Sequence, residues 1–253
     1  RLIAVKNQLY AGICWACSTA TAAERSWLQE QVNNGKNPSS STTLSPAHLA
    51  FFNYSRVNDP LGNTAGDATT ITASDKNWKS LGGNSTMATI TMSNWIGLAA
   101  DSVAPLSSYN NAQYQTINSA RCYDSNELIL QNSRWLNSMD EIKSEIQSKG
   151  AVVADYYHQD ACLGSDKVSY YYEDEHKTNH AITIVGWDDN YYNKKFDGEG
   201  RYYPEDNGAW ICQNSWGSSW GENGYFYFSY YDATLANPVS LDMQPAGTYD
   251  YNY

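Results

Sequence analysis

A two-lobed α+β architecture is expected from this sequence, helical in its first half and β-rich in its second. Three observations predict it. Ala16, Ala20, Ala23 and Trp27 recur at helical spacing, and their small side chains suit a helix wedged between other elements. Beyond residue 150 come short runs rich in β-branched and aromatic residues, at 151–156, 181–187, 209–213 and 225–231. The chain of 253 residues is 42% hydrophobic with nine Trp and 21 Tyr, which supports a substantial core and excludes disorder.

The first helix is expected over 14–32, ended by Asn33-Asn34-Gly35 and the stretch 38–41. A second, short helix opens at 44–50, with Ser45 as N-cap and Pro46 in its first turn. Residues 57–77 are rich in Gly, Thr and Asp without a period, as in a surface insertion. A third helix is expected over 87–100. Ser138-Met139-Asp140-Glu141 has the form of a capping box, followed by Ile142 and Ile146 on one face and closed by Gly150. The whole chain, 1–253, is expected to be a single domain, with a helical lobe near 11–110 and a β-rich lobe near 111–253. The Tyr-rich end at 248–253 lacks a terminating signal and is expected to lead into a further domain.

Charge and apolar content exclude several classes. With 16 basic and 27 acidic residues the net charge is −11, which disfavours nucleic acid and anionic membranes. No apolar run approaches the ~18 residues of a membrane span. The first residues do not read as a signal peptide, and with Arg1 seven residues before Gln8 a trimmed or mature chain is expected. Of five cysteines, Cys17 and Cys212 read as buried thiols and only Cys122–Cys162 as a candidate disulfide. Asp188-Asp189-Asn190 and Asp197-Gly198-Glu199-Gly200 lack the order of a calcium loop, so no metal or other cofactor is expected.

Chemistry concentrates in three segments. Gln8 precedes Gly12-Ile13-Cys14-Trp15-Ala16, a loop that delivers a thiol to a helix start, where partial positive charge and free N–H groups favour the thiolate. Asn179-His180-Ala181-Ile182 places an imidazole at the edge of a strand. Asn214-Ser215-Trp216-Gly217 follows the strand-like run 209–213. Cys, His and Asn in that chain order form a nucleophile, a base and a group that orients the base. His48, His158 and His176 lack such context and read as surface or packing residues.

The chain resembles the papain-like cysteine peptidase family in these segments and in Leu44-Ser45, Gly82-Gly83 and Gly224-Tyr225. The resemblance implies a cleft between a helical lobe carrying Cys14 and a barrel-like lobe carrying His180 and Asn214. It implies an endopeptidase in which Cys14 attacks a peptide carbonyl, Gln8 and the Cys14 amide hold the oxyanion, and a thioester forms and is hydrolysed. Trp216 would cover the His180–Asn214 bond. In the family a Gly-Gly at the place of Gly82 and Gly83 presents its backbone to an extended peptide; Asn84, Asn179 and Trp216 complete the substrate-facing set. Aligning 150–155 with the family's matching strand puts Asp155 in the wall of the pocket for the second residue before the cut, as a partner for Arg or Lys. One residue of slip would instead turn Asp155 to solvent or to Lys143.

His180 lies 166 residues after Cys14 and Asn214 lies 200 after it, against about 130–150 in simple members. The excess fits the insertion at 57–77 and the connection at 188–208. Ala11 stands where many members carry a cysteine, and Cys17 replaces a common aromatic residue. These departures resemble a bacterial, secreted or cell-surface branch, with protein or peptide substrates and an inhibitory pro-segment in the precursor. The alternatives are a transferase or aminopeptidase with the same triad, and a catalytically silent adhesion or binding module.

Overall fold

The computed structural model describes residues 3–39, 41–54, 78–106, 126–198 and 202–247. Helix α1 (Cys14–Asn33) buries its first eleven residues, since Ala, Ser, Thr and Cys let neighbours approach from all sides. Ile13 precedes it and offers no side-chain cap, so the N–H groups of the first turn stay free of side-chain oxygens. Helix α2 (Pro46–Tyr54) starts as expected, with Ser45 Oγ accepting from the His48 amide at 3.0 Å. Helix α3 (Ser85–Ser93) begins earlier than expected, because Asn84 Oδ1 accepts from the Met87 amide at 2.9 Å and caps it.

The helix expected to continue to residue 100 stops at Ser93, and this is a correction. Trp95 has φ +66, and Leu98–Ala99 form strand β1 instead. The apolar residues Ile96 and Leu98, which extend a helical pattern, are buried because they lead into the sheet. Helix α4 (Met139–Lys149) carries its cap in a shifted form. Ser138 Oγ accepts from the Glu141 amide at 3.2 Å, and Glu141 Oε2 reaches back to the amide of Asn137 at 2.7 Å. Gly150 closes it with φ +82, a conformation that favours glycine.

The remaining strands are β2 (Asn126–Trp135), β3 (Val152–Tyr156), β4 (Ser169–Tyr170), β5 (His180–Asp188), β6 (Ala209–Gln213), β7 (Tyr225–Ser229) and β8 (Ala236–Pro245). They form one sheet in the order β1-β2-β8-β3-β5-β6-β7-β4, antiparallel except for the β4–β7 pair. Period-2 alternation separates two cores. Val153 and Ala181 face α1 and the other helices. Val152, Ala154, Tyr156, Ile182 and Ile184 face the β-rich core, which holds Phe226 and Phe228. Asp155 shares the parity of Val153, so it points to the helical side. α1 is tied to the sheet by Thr183 Oγ1, which donates to Ser18 O at 3.0 Å.

The N-terminal segment is pinned by a buried ion pair. Lys6 Nζ lies 2.6 Å from Glu24 Oε1, and both also bond the main chain of Leu44. This anchors Gln8, two residues on, against α1. The expected insertion at 57–77, Cys122, the lobe boundary near 110 and the tail at 248–253 lie outside the described residues.

Candidate active site

Three elements converge on one point. Cys14 opens α1, His180 opens β5, and Asn214 follows the last residue of β6. The pairing Thr183↔Gln213 in adjacent antiparallel strands brings the last two together. His180 Nε2 lies 2.8 Å from Asn214 Oδ1. The same oxygen accepts from the Ser215 amide at 2.7 Å. A backbone N–H only donates, so it fixes the amide with its oxygen towards the imidazole. His180 Nε2 therefore carries the hydrogen, and Nδ1 of the neutral ring keeps its lone pair.

Trp216 stacks on the His180 ring, with centroids 4.6 Å apart and planes at 28°. Trp220 meets Trp216 edge-on at 5.0 Å and supports the stack from behind. Cys14 and His180 are 9% and 7% exposed. Burial pushes the Cys14 thiol up, opposed by the main-chain N–H groups of Ala181 and Trp15 and assisted by the charge of Asp155. It pulls the His180 imidazole down to about 4, opposed by the Asn214 bond. A lone charge is thus disfavoured on either group.

Gln8 is joined to the Asn214 segment. Its amide donates to Ser215 O at 2.8 Å, Nε2 donates to Ala11 O at 2.8 Å, and Oε1 accepts from Ser215 Oγ at 2.5 Å. The side chain is therefore held at both ends, with one of its two Nε2 hydrogens uncommitted by these bonds. Ser215 orients Gln8 and Asn214 together. Sequence reasoning assigned it no role, although it stands between Asn214 and Trp216.

The substrate-facing candidates form a strip beside Cys14. Gly12 N donates to Lys79 O at 2.6 Å, which brings the 79–84 segment alongside. Tyr54 Oη donates to Gly82 O at 2.8 Å. Gly83 lies flush on the Trp15 ring, where an added Cβ would come within 2.4 Å of it. Asn84 spends its Oδ1 on capping α3. Asp155 is 2% exposed and bonds Ser85, so the slipped register is not the one adopted. Lys143 instead pairs with Asp189 at 2.6 Å.

Asp155 Oδ2 accepts from Ser85 Oγ at 2.8 Å and from Asn237 Nδ2 at 3.0 Å, and Oδ1 from the Ser85 amide at 3.2 Å. Asn179 turns its side chain to the main chain of His158, accepting from its N at 2.7 Å and donating to its O at 3.0 Å. His158 itself, expected to be an ordinary packing residue, lies against both His180 and Trp216. No motif in the sequence marks it.

The chain belongs to the papain family of cysteine proteases, whose family model matches residues 69–242, including the His180 and Asn214 segments. Serine-repeat antigen protein 5 of Plasmodium falciparum is 35% identical over 112 residues, covering 41% of this chain and 10% of that protein. Fruit bromelain of Ananas comosus is 49% identical over 67 residues, or 26% of this chain and 15% of that protein. The chain thus spans only a small part of the curated relatives it matches. Among solved structures, the cysteine protease and lectin-like domains of Cwp84, a surface layer associated protein of Clostridium difficile, superpose with a TM-score of 0.73 at 21% identity, covering 97% of this chain and 50% of that one. A Plasmodium falciparum SERA5E structure gives 0.61 at 18% identity, covering 96% and 90%. These likenesses show the papain-like α+β fold. Among the described residues no helix is long and apolar enough to cross a membrane.

Proposed function

We propose that the chain is an active cysteine endopeptidase with Cys14 as nucleophile, His180 as base, Asn214 as its orienting partner and Gln8 as oxyanion donor. The observation that carries this reading is the fixed tautomer of His180. Asn214 Oδ1, held by the Ser215 amide, claims Nε2–H and leaves Nδ1 to receive a proton.

Transfer of the Cys14 proton to His180 Nδ1 creates both charges at once, each balancing the other in a site that disfavours either alone. The thiolate attacks the peptide carbonyl carbon. The carbonyl oxygen becomes an oxyanion facing the Cys14 amide and the second Nε2 hydrogen of Gln8. His180 gives its proton to the leaving nitrogen as the C–N bond breaks, and a thioester remains. His180 Nδ1 then takes a proton from water, whose oxygen attacks the thioester carbon. The C–S bond breaks and Cys14 leaves as thiolate.

Gln8→Ala is expected to lower kcat by roughly 10²–10³-fold with little change in KM, since an oxyanion donor acts mainly in the transition state. Steady-state kinetics on a peptide substrate check it. A raised KM at constant kcat would make Gln8 a ground-state contact instead.

The strip Gly82-Gly83-Asn84 is proposed to bind an extended peptide by strand addition, with Asn179 and Trp216 on the far side of the nucleophile. Asp155 is proposed to stand in the wall of the pocket for the second residue before the cut. Its Oδ1 carries a single donor, the Ser85 amide, and so retains accepting capacity for a basic side chain. Asp155→Ala is expected to lower the Arg/Leu preference at that position about tenfold, the equivalent of a charge-assisted hydrogen bond. Matched peptides, assayed on both enzymes, give the ratio. An unchanged ratio would leave Asp155 solely an anchor for the start of α3.

The 253 residues are proposed to form a single peptidase unit, with a helical lobe near 11–110 and a β-rich lobe near 111–253. Solved structures of a procathepsin and of a proenzyme, to which the chain is similar, support a pro-segment in the precursor. The surface layer association of Cwp84 supports an extracellular or cell-surface, bacterial setting.

A further inference from the structure

Behind His180 stands a second imidazole. His158 follows the end of β3 and presents its ring to His180, with centroids 5.9 Å apart at 61°. It meets Trp216 edge-on at 4.7 Å and stacks on Tyr170 at 5.4 Å. Its main chain is clamped by both groups of the Asn179 amide. Both ring nitrogens are engaged: Nε2 with Asp160 Oδ1 at 2.9 Å and Nδ1 with Tyr156 Oη at 2.8 Å. An ionised carboxylate only accepts, so Nε2 carries the hydrogen and Nδ1 of the neutral ring accepts from Tyr156.

The titratable groups facing His158 are Asp160 from the short turn after β3, Tyr156 from β3, Tyr170 from β4 and His180 from β5. Burial pushes both phenols up, so they stay neutral. Asp160 is then the only charged partner among them, and its side chain is 89% exposed. The two imidazoles are therefore unequal. His158 has a carboxylate to balance a positive charge, whereas His180 has the neutral amide of Asn214. In the resting enzyme the Cys14 thiolate can balance His180. In the thioester that sulfur is neutral.

We propose that His158 is a positioning residue that takes up the first proton on acidification and thereby keeps His180 neutral in the thioester intermediate, where it must act as base towards water. This rests on the thioester reading above. A proton on His158 places a positive charge one ring away from His180 and opposes a second. Burial, with a smaller contribution from His158 and against the opposing bond from Asn214, lowers His180 to about 4. Burial also lowers His158, while Asp160 pulls it back up.

The test titrates both imidazoles by NMR in Cys14→Ala, which cannot form a thiolate, with and without His158→Gln or Asp160→Asn. His158→Gln keeps an acceptor for Tyr156, and Asp160→Asn alters an exposed side chain. The first proton is expected on His158. His158→Gln should raise the His180 pKa by roughly one unit, the scale of a coupled pair; Asp160→Asn should raise it by less. With Cys14 intact, the acid limb of kcat for an activated nitrophenyl ester, which reports deacylation, should move to higher pH by the same amount in His158→Gln. A first proton on His180, or a His180 titration unmoved by His158→Gln, would overturn the proposal. An unmoved acid limb would do so too. Absence of a nitrophenol burst in the wild-type enzyme would overturn the thioester reading itself, while the NMR titrations would still order the two protons.

Discussion

Cys14→Ala is expected to abolish peptide cleavage, lowering kcat on the order of 10⁶-fold, as loss of a nucleophile does in a triad that acts as a unit. The fold should survive, because the change removes only a sulfur from the start of α1. Ile13 lacks a side-chain cap that could be disturbed. Denaturation should shift by about 1 kcal/mol or less, the scale of one small buried group. Kinetics on a peptide substrate and a denaturant titration of the same preparation check both halves. Cys17→Ala is the matched control. Cys17 is fully buried, and burial pushes its thiol up, so it should contribute no reactive thiolate. If Cys14→Ala still cleaves, the nucleophile lies elsewhere.

Gly83→Ala is expected to be the most damaging change on the proposed substrate strip. Gly83 has φ +149, a region closed to residues with a side chain, and its added Cβ would stand 2.4 Å from the Trp15 ring. Trp15 is fully buried and adjoins Cys14, so it cannot yield without moving the nucleophile. Backbone strain and overpacking together should cost on the order of 3 kcal/mol. Peptide binding should weaken with it. Gly82 offers the contrast. It has φ +78 but nothing within 4 Å of an added Cβ, so Gly82→Ala should cost only the backbone part, about 1 kcal/mol. Urea titrations of the two variants separate packing from backbone. Equal costs would mean that the Trp15 contact does not govern this strip.

The site was legible in the sequence where chemistry and local structure share a few adjacent residues. Cys14 at a helix start, His180 at a strand start and Asn214 after a strand could each be placed from short segments. The caps at Ser45 and Ser138 were equally local. What escaped depends on partners far away in the chain. Strands β2 and β8 carry Asn, Ser, Pro and Asp, and they become strands because they pair with one another from Leu128↔Pro245 to Trp135↔Val239. Trp95 ends α3 by adopting a positive φ that its own side chain does not favour, to enter the sheet through β1. Asp155 was placed in its strand, but its donors Ser85 and Asn237 arrive from α3 and β8. His158 acquires its neighbours only when β3 pairs with β5 and the folded sheet brings β4, from its far edge, against them.

Cys14 is proposed as the activated nucleophile of a peptidase. Its most direct test is labelling of the folded chain with an epoxide that alkylates active thiolates, followed by peptide mass mapping and assay of residual cleavage. One adduct is expected, on Cys14, formed in step with loss of peptide cleavage and absent in Cys14→Ala. It should be retained in Cys17→Ala and slowed in Asn214→Ala, where the imidazole loses its orienting bond. An unmodified Cys14 in a folded preparation, or cleavage that persists after Cys14 is fully alkylated, would contradict it.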